Sequence, residues 1–206
     1  DGITGATFNF TNVDFDVVKL RSMFIYGAKE VANYVNISDS TFDFEDANDT
    51  NFLYAVIVDV QDTTIVAKNG NRIFSFAPGT VSNTDITVTE FQTLSMTYYD
   101  EKEEHMAWLK EQGLPTTLTF DKECSLNGGQ IQDAEGYETF VHVCSTVENV
   151  TGGTSYGEHV AGEPVEEEGF MVTYCTVCNK EVSREALACQ HGALAKTDAV
   201  AADCDD

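Results

Sequence analysis

The residues best equipped for chemistry lie near the C-terminus. Cys175 and Cys178 are two residues apart in the Cys-x-x-Cys sense, and Cys189 and His191 are separated by one residue. Three thiolates and one imidazole form a complete tetrahedral donor set for Zn²⁺. The Cys189-x-His191 pair is tighter than the second pair of common structural sites. Disulfides or reduced thiols are therefore the preferred reading, the former as expected in an oxidising extracellular setting. No βαβ pattern surrounds Cys175 and Cys178, which argues against a thioredoxin-like redox centre. Upstream, Cys124 and Cys144 enclose 19 residues. A disulfide between them would close that loop and stabilise it by roughly 3 kcal/mol in the chain-entropy model. His142 alternates with Phe140 and Cys144, and reads as a strand side chain rather than a catalytic base.

The acids of the N-terminal half are the other candidates. Asp14, Asp16 and Asp43 could bind Ca²⁺, or serve as the paired carboxylates of carbohydrate chemistry. The nearby cations are Lys19, Arg21, Lys29, Lys68 and Arg72, and no motif sets one beside these acids. A solvated acidic face is the preferred reading, and no catalytic residue is assigned. Trp108 offers a ring that could stack on a sugar, although a structural role in its helix is preferred. Neither a Gly-rich phosphate loop nor a Ser/His/Asp signature occurs.

What must position these residues is written in an internal repeat. An apolar residue, a spacer, an Asn or Asp, two more residues and a second apolar residue recur four times. The copies are Phe10–Phe15, Ile37–Phe42, Val60–Ile65 and Val81–Ile86, with starts 27, 23 and 21 residues apart. Recurrence at a near-constant step is the signature of a solenoid. Phe10, Ile37, Val60 and Val81 form one apolar column. Phe15, Phe42, Ile65 and Ile86 form a second, and Val17, Phe44, Ala67 and Val88 a third, two residues on, at strand period. Asn12, Asp39, Asp62 and Asn83 fill the third position, where a left-handed corner suits Asn and Asp. Leu20–Ile25, Phe52–Val58 and Arg72–Phe76 supply a further strand per coil. The pattern resembles a right-handed parallel β-helix of about four coils, its strands stacked at ~4.8 Å. The first coil is expected to continue upstream in the native protein. An antiparallel sandwich is the second choice, because it needs no aligned Asx column.

Beyond the repeat, Asp100–Gln112 reads as a helix with Asp100 as N-cap, Glu103 as its reciprocal partner and Gly113 as stop. It is expected to lie as a lid over the last coil. Thr116–Phe120 and Gly136–Val143 read as strands, with a turn at Asn127-Gly128-Gly129. The expected division is residues 1–98 for the coils, 99–151 for a capping helix and β-hairpin region, and 152–206 for a linker and cysteine module.

Composition bounds the partners. There are 35 Asp and Glu against 11 Lys and Arg, a formal net charge of -24 over 206 residues. Nucleic acid is excluded as a partner, because neutralising phosphates takes clustered cations. No apolar run approaches the ~20 residues that cross a bilayer. Aromatic and β-branched residues are plentiful and suit strands. Four Asn-x-Ser/Thr sequons occur, at Asn9, Asn36, Asn48 and Asn149, where about two would arise by chance in a chain so rich in Asn and Thr, so they say little about glycosylation.

One stretch carries a family resemblance. Val172-Thr173-Tyr174-Cys175-Thr176-Val177-Cys178-Asn179-Lys180-Glu181 is similar to the Tyr-x-Cys-x-x-Cys-x-Lys/Glu repeat of large secreted and cell-surface proteins of Gram-positive bacteria. The resemblance implies a short hairpin carrying the cysteine pair, then a segment like the one at His191-Gly192. With the β-helix, it implies a non-catalytic extracellular or cell-surface scaffold or adhesion segment, with a glycan or a host or neighbouring protein as partner. Zn²⁺ and Ca²⁺ are the candidate cofactors. The alternative is a fragment of a β-helix carbohydrate-active enzyme, a polysaccharide lyase or glycoside hydrolase, whose active coils lie upstream.

Overall fold

A computed structural model describes residues 5–19, 23–28, 30–46, 51–69, 72–89, 93–97, 103–152, 155–157, 159–176 and 179–187. The chain divides into two compact units, Asp1–Glu158 and His159–Asp206.

The first unit is a parallel β-solenoid with three strands per coil. The first coil holds β1 (Thr7–Thr11), β2 (Asp14–Val17) and β3 (Met23–Tyr26). The second holds β4 (Tyr34–Ser38), β5 (Thr41–Phe44) and β6 (Asn51–Tyr54). The third holds β7 (Ile57–Gln61), β8 (Thr64–Lys68) and β9 (Arg72–Ser75), and the fourth β10 (Gly79–Ser82), β11 (Asp85–Thr89) and β12 (Thr93–Met96). The helix α1 (Glu103–Glu111) follows. Coiling then resumes with β13 (Leu118–Phe120), β14 (Ser125–Asn127) and β15 (Gln130–Gln132). Next come β16 (Thr139–His142), β17 (Thr146–Glu148), β18 (Thr151–Gly152) and a last strand, β19 (Ser155–Gly157).

Among the described residues, like strands of successive coils pair side by side, giving one sheet of seven strands and two of six. The first sheet runs β1-β4-β7-β10-β13-β16-β19, the second β2-β5-β8-β11-β14-β17, and the third β3-β6-β9-β12-β15-β18. Every neighbour within these sheets is parallel. The expected columns are the observed ones. Phe10, Ile37, Val60 and Val81 are register partners, and the column continues through Phe120, Val141 and Tyr156. The second runs Phe15, Phe42, Ile65, Ile86, Leu126 and Val147. The coils thus outnumber the four expected. Residues 116–151, within the region expected to hold a β-hairpin, supply parallel strands instead. Their apolar pairs Phe120/Leu126 and Val141/Val147 are six residues apart, where the earlier copies are five, so the motif does not register there.

The buried residues of these columns and of the third sheet make the core. Phe42, Phe44, Phe52, Phe74 and Phe120 are buried, with Ile37, Leu53, Ile65, Ile86 and Leu94 among them. In the lower coils the rings interlock: Phe52 lies 5.1 Å from Phe42, 5.2 Å from Phe44 and 5.2 Å from Phe24, centroid to centroid. Such pairs add to burial by about 0.5–1.5 kcal/mol each.

Several of the coil's corners are left-handed. At the first, Asn12, Asp39, Asp62 and Asn83 have φ of 56, 50, 50 and 41°, the left-handed conformation expected of Asn and Asp. At another, Ala55 and Phe76 take φ of 51 and 50°, although neither residue type favours it. There the main chain is held from the next coil: Ala55 N–H donates to Ser75 O at 2.9 Å, and Phe76 N–H to Met96 O at 2.8 Å.

The helix α1 is an excursion between β12 and β13. Its Met106 and Leu109 are buried in a cluster with Tyr54, Ala55, Ile57, Phe76 and Met96, and Leu114 and Tyr137 pack on it. It therefore covers a flank of the solenoid, not the end of the last coil, because two further coils follow it. Asp100, its expected N-cap, lies outside the described residues. Among the described residues no helix is long and apolar enough to cross a membrane.

The second unit holds β20 (Val165–Glu167), β21 (Phe170–Tyr174) and β22 (Glu181–Ala186) in a three-stranded antiparallel sheet. The hairpin β21–β22 carries Cys175 at its turn.

Candidate functional site

The most extended chemical feature of the first unit is the outward face of its first sheet. Because strand side chains alternate, the residues between the buried ones form outward columns. Asn9, Asn36, Asp59, Thr80 and Thr119 are in register in one of them. Asn36 Nδ2 donates to Asn9 Oδ1 at 2.8 Å, and Thr80 Oγ1 donates to Asp59 Oδ1 at 2.9 Å. Beside it run Thr11, Ser38, Gln61 and Ser82, with Ser38 Oγ donating to Thr11 Oγ1 at 3.2 Å. The corner column adds a third polar row, in which Asn83 Nδ2 donates to Asp62 Oδ1 at 2.6 Å. The corner row is Asx in every copy and is legible in the sequence; the two rows beside it change residue type from coil to coil and are not.

The acids singled out earlier lie on the second sheet. Asp16 and Asp43 are register partners on β2 and β5, and the column continues as Val66, Thr87, Asn127 and Glu148. Asp14 stands in the next outward column, with Thr41, Thr64 and Asp85. Lys19 reaches Asp46 at 3.6 Å.

Cys124 and Cys144 are both buried, and the disulfide expected between them is not formed. The register gives the reason. Ser125 pairs with Thr146, so Ser145, not Cys144, is beside Cys124. The Cys124 thiol turns inward and donates to Val81 O at 3.2 Å, with Asp121 Oδ1 at 3.3 Å. Burial, reinforced by Asp121, pushes its pKa up to about 12. Ser145 Oγ donates to Asp121 O, which ties this corner to the coil above. His142 closes β16, and its Nδ1 accepts the Cys144 N–H at 3.2 Å.

A polar knot links the fourth, fifth and sixth coils. Asp133 accepts from Thr139 N–H at 2.8 Å and from Thr139 Oγ1 at 3.0 Å. Thr97 Oγ1 donates to Tyr137 O at 2.9 Å and accepts from Ala134 N–H at 2.8 Å. Ser95 and Thr139 hydroxyls meet at 2.6 Å. Burial pushes the Asp133 carboxyl above the usual range, against the hydrogen bonds from Thr139 and Thr97. Ser95, Thr97 and Thr139 are buried, so the knot fixes loop 133–139 and offers no open nucleophile. Trp108 is half-buried, its ring stacked on that of the buried His105 at 6.1 Å.

In the second unit Cys175 is buried. Its N–H donates to Lys180 O at 2.8 Å, and its carbonyl accepts from Asn179 N–H at 2.9 Å. Asn179 takes φ of 60°, so the cysteine sits at the mouth of a tight turn. Cys178, Cys189 and His191 lie outside the described residues. On the sheet, Arg184 pairs with Glu181 at 2.7 Å and lies over the Phe170 ring at 5.3 Å.

No family model matches the chain, and no curated protein or solved structure is significantly similar to it.

Proposed function

We propose that this chain is a non-catalytic extracellular scaffold and adhesion segment of a bacterial surface protein. The observation that carries the reading is the first sheet. Seven parallel strands run through the whole first unit, and side chains of successive coils hydrogen-bond to one another on the outside. Such an array resists bending at every step and presents an extended surface, as a spacer or adhesin requires. The buried columns keep that surface in register. The surplus of acids keeps it soluble and self-repelling.

The placement outside the cell rests on the resemblance of Val172–Glu181 to surface-protein repeats. In that setting Cys175, Cys178, Cys189 and His191 either form disulfides, stay reduced or hold Zn²⁺. Mass measurement with and without alkylation, together with metal analysis, separates these states. Ca²⁺ at Asp14, Asp16 and Asp43 is tested in the same analysis.

The second reading, a fragment of a carbohydrate-active enzyme, draws on one observation: Asp16 and Asp43 lie side by side on adjacent strands. Incubation with a panel of polysaccharides and Ca²⁺, followed by assays of reducing ends and unsaturated products, decides between the two. The scaffold reading expects no product. Turnover that vanishes in Asp16→Asn and Asp43→Asn would replace it with the enzyme.

A further inference from the structure

We propose that the outward face of the first sheet binds an uncharged, extended polysaccharide lying along the coil axis. The inference rests on the adhesion reading and names its ligand class.

Three features of the face point to this chemistry. The first is its repeat. Neighbouring strands are ~4.8 Å apart, close to the length of one sugar residue in an extended chain. A polymer laid across the strands would meet an equivalent polar group at each residue.

The second is the pattern of donors and acceptors. Asn36 Nδ2 is turned to Asn9 Oδ1, which leaves the Asn9 amide N–H donors beside the Asn36 carbonyl acceptor. Thr80 donates to one Asp59 oxygen, which leaves the Thr80 oxygen and the second carboxylate oxygen as acceptors. A sugar hydroxyl donates and accepts at once, so vicinal hydroxyls complement such alternating groups. Asn9, Asn36, Asp59 and Thr80 are all exposed. At the margin of the same face Tyr34, 36% exposed, offers a ring on which a pyranose can stack.

The third feature is charge. The outward positions of β1, β4, β7, β10 and β13 contain no Lys or Arg, and Asp59 is among them. A uronate or sulfated polymer would meet only repulsion on a chain of net charge -24. An uncharged polymer does not.

The test uses the whole chain in affinity electrophoresis through gels containing xylan, mannan, mixed-linkage β-glucan or polygalacturonate. At least one of the three neutral polymers should retard the protein, and polygalacturonate should not. Tyr34→Ala and the double variant Asn36→Ala/Asp59→Ala should each weaken that retardation by about tenfold or more, the ratio set by ~1.4 kcal/mol. Glu148→Ala, on the second sheet, should leave it unchanged. Circular dichroism melts confirm that each variant is folded. The proposal is overturned if no neutral polymer retards the chain, if polygalacturonate does, or if the folded face variants bind as the parent does. Products released from the polymers would instead overturn the scaffold reading, so the two failures are told apart.

Discussion

Cys124 is a nucleophile held out of reach. Its thiol is buried, bonded to Val81 O, and shifted to a pKa of about 12, so almost no thiolate forms at neutral pH. Native protein treated with iodoacetamide should leave Cys124 unmodified, and urea-unfolded protein should gain the adduct there; peptide mass mapping reads both. Labelling of Cys124 in the native state would contradict its burial. Asp133 is a second group raised by burial, a carboxyl whose hydrogen bonds do not offset it. Its folded pKa is raised, so the folded state binds the proton more readily than the unfolded chain does. The stability this contributes is fully present below the unfolded pKa of an aspartate. It is lost as pH rises through the folded value. In Asp133→Asn, that part of the decline between those two values should be absent, as measured by urea unfolding at a series of acidic pH values. Asp133→Ala should lower stability at every pH by about 1–3 kcal/mol, because the buried Thr139 N–H loses its acceptor.

At the scale of elements, corners and the helix decide whether coils can stack. Asp62 has φ of 50° and accepts the Asn83 amide. A β-branched residue there is strained, and Asp62→Val should destabilise by about 1–3 kcal/mol. Asp62→Gly suits the backbone and should lose clearly less; thermal melts of the two variants give the comparison. The reverse order would mean that the side-chain ladder, not the backbone, holds the corner. The helix α1 joins the fold through few residues. Leu109→Ala removes one of its two buried apolar anchors and should lower stability by about 2–5 kcal/mol. The far-UV spectrum should keep its β signature, since the coils pair without the helix.

For the molecule as a whole, stability in a solenoid passes from coil to coil through nearest neighbours. Ile65 lies at the centre of the second sheet, between Phe42 and Ile86. Ile65→Ala should cost about 2–5 kcal/mol. Native-state hydrogen exchange should lose most protection in β5, β8 and β11, and least in β17, three strands further along. An equal loss in all strands would mean that the first unit unfolds as one cooperative body.

The residues themselves specified the solenoid where repetition was strict. One six-residue motif with Asx inside it sets both an apolar column and a left-handed corner, and each is local to the chain. The helix was legible for the same reason, from its own composition and stop signal. Three things were decided only by tertiary structure. The later coils escaped notice because one extra residue in their corners shifts Phe120/Leu126 and Val141/Val147 out of the motif, and nothing local marks a strand as parallel to one 21 residues away. The corner at Ala55 and Phe76 could not be read, because neither residue prefers a left-handed backbone and the neighbouring coil imposes it. Cys124 and Cys144 are near in sequence and buried together in the first unit, yet a register of one residue keeps them from forming a disulfide with each other. The outward polar face combines both origins: alternation in the sequence supplies its residues, and stacking of coils alone aligns Asn9, Asn36, Asp59 and Thr80 into a surface.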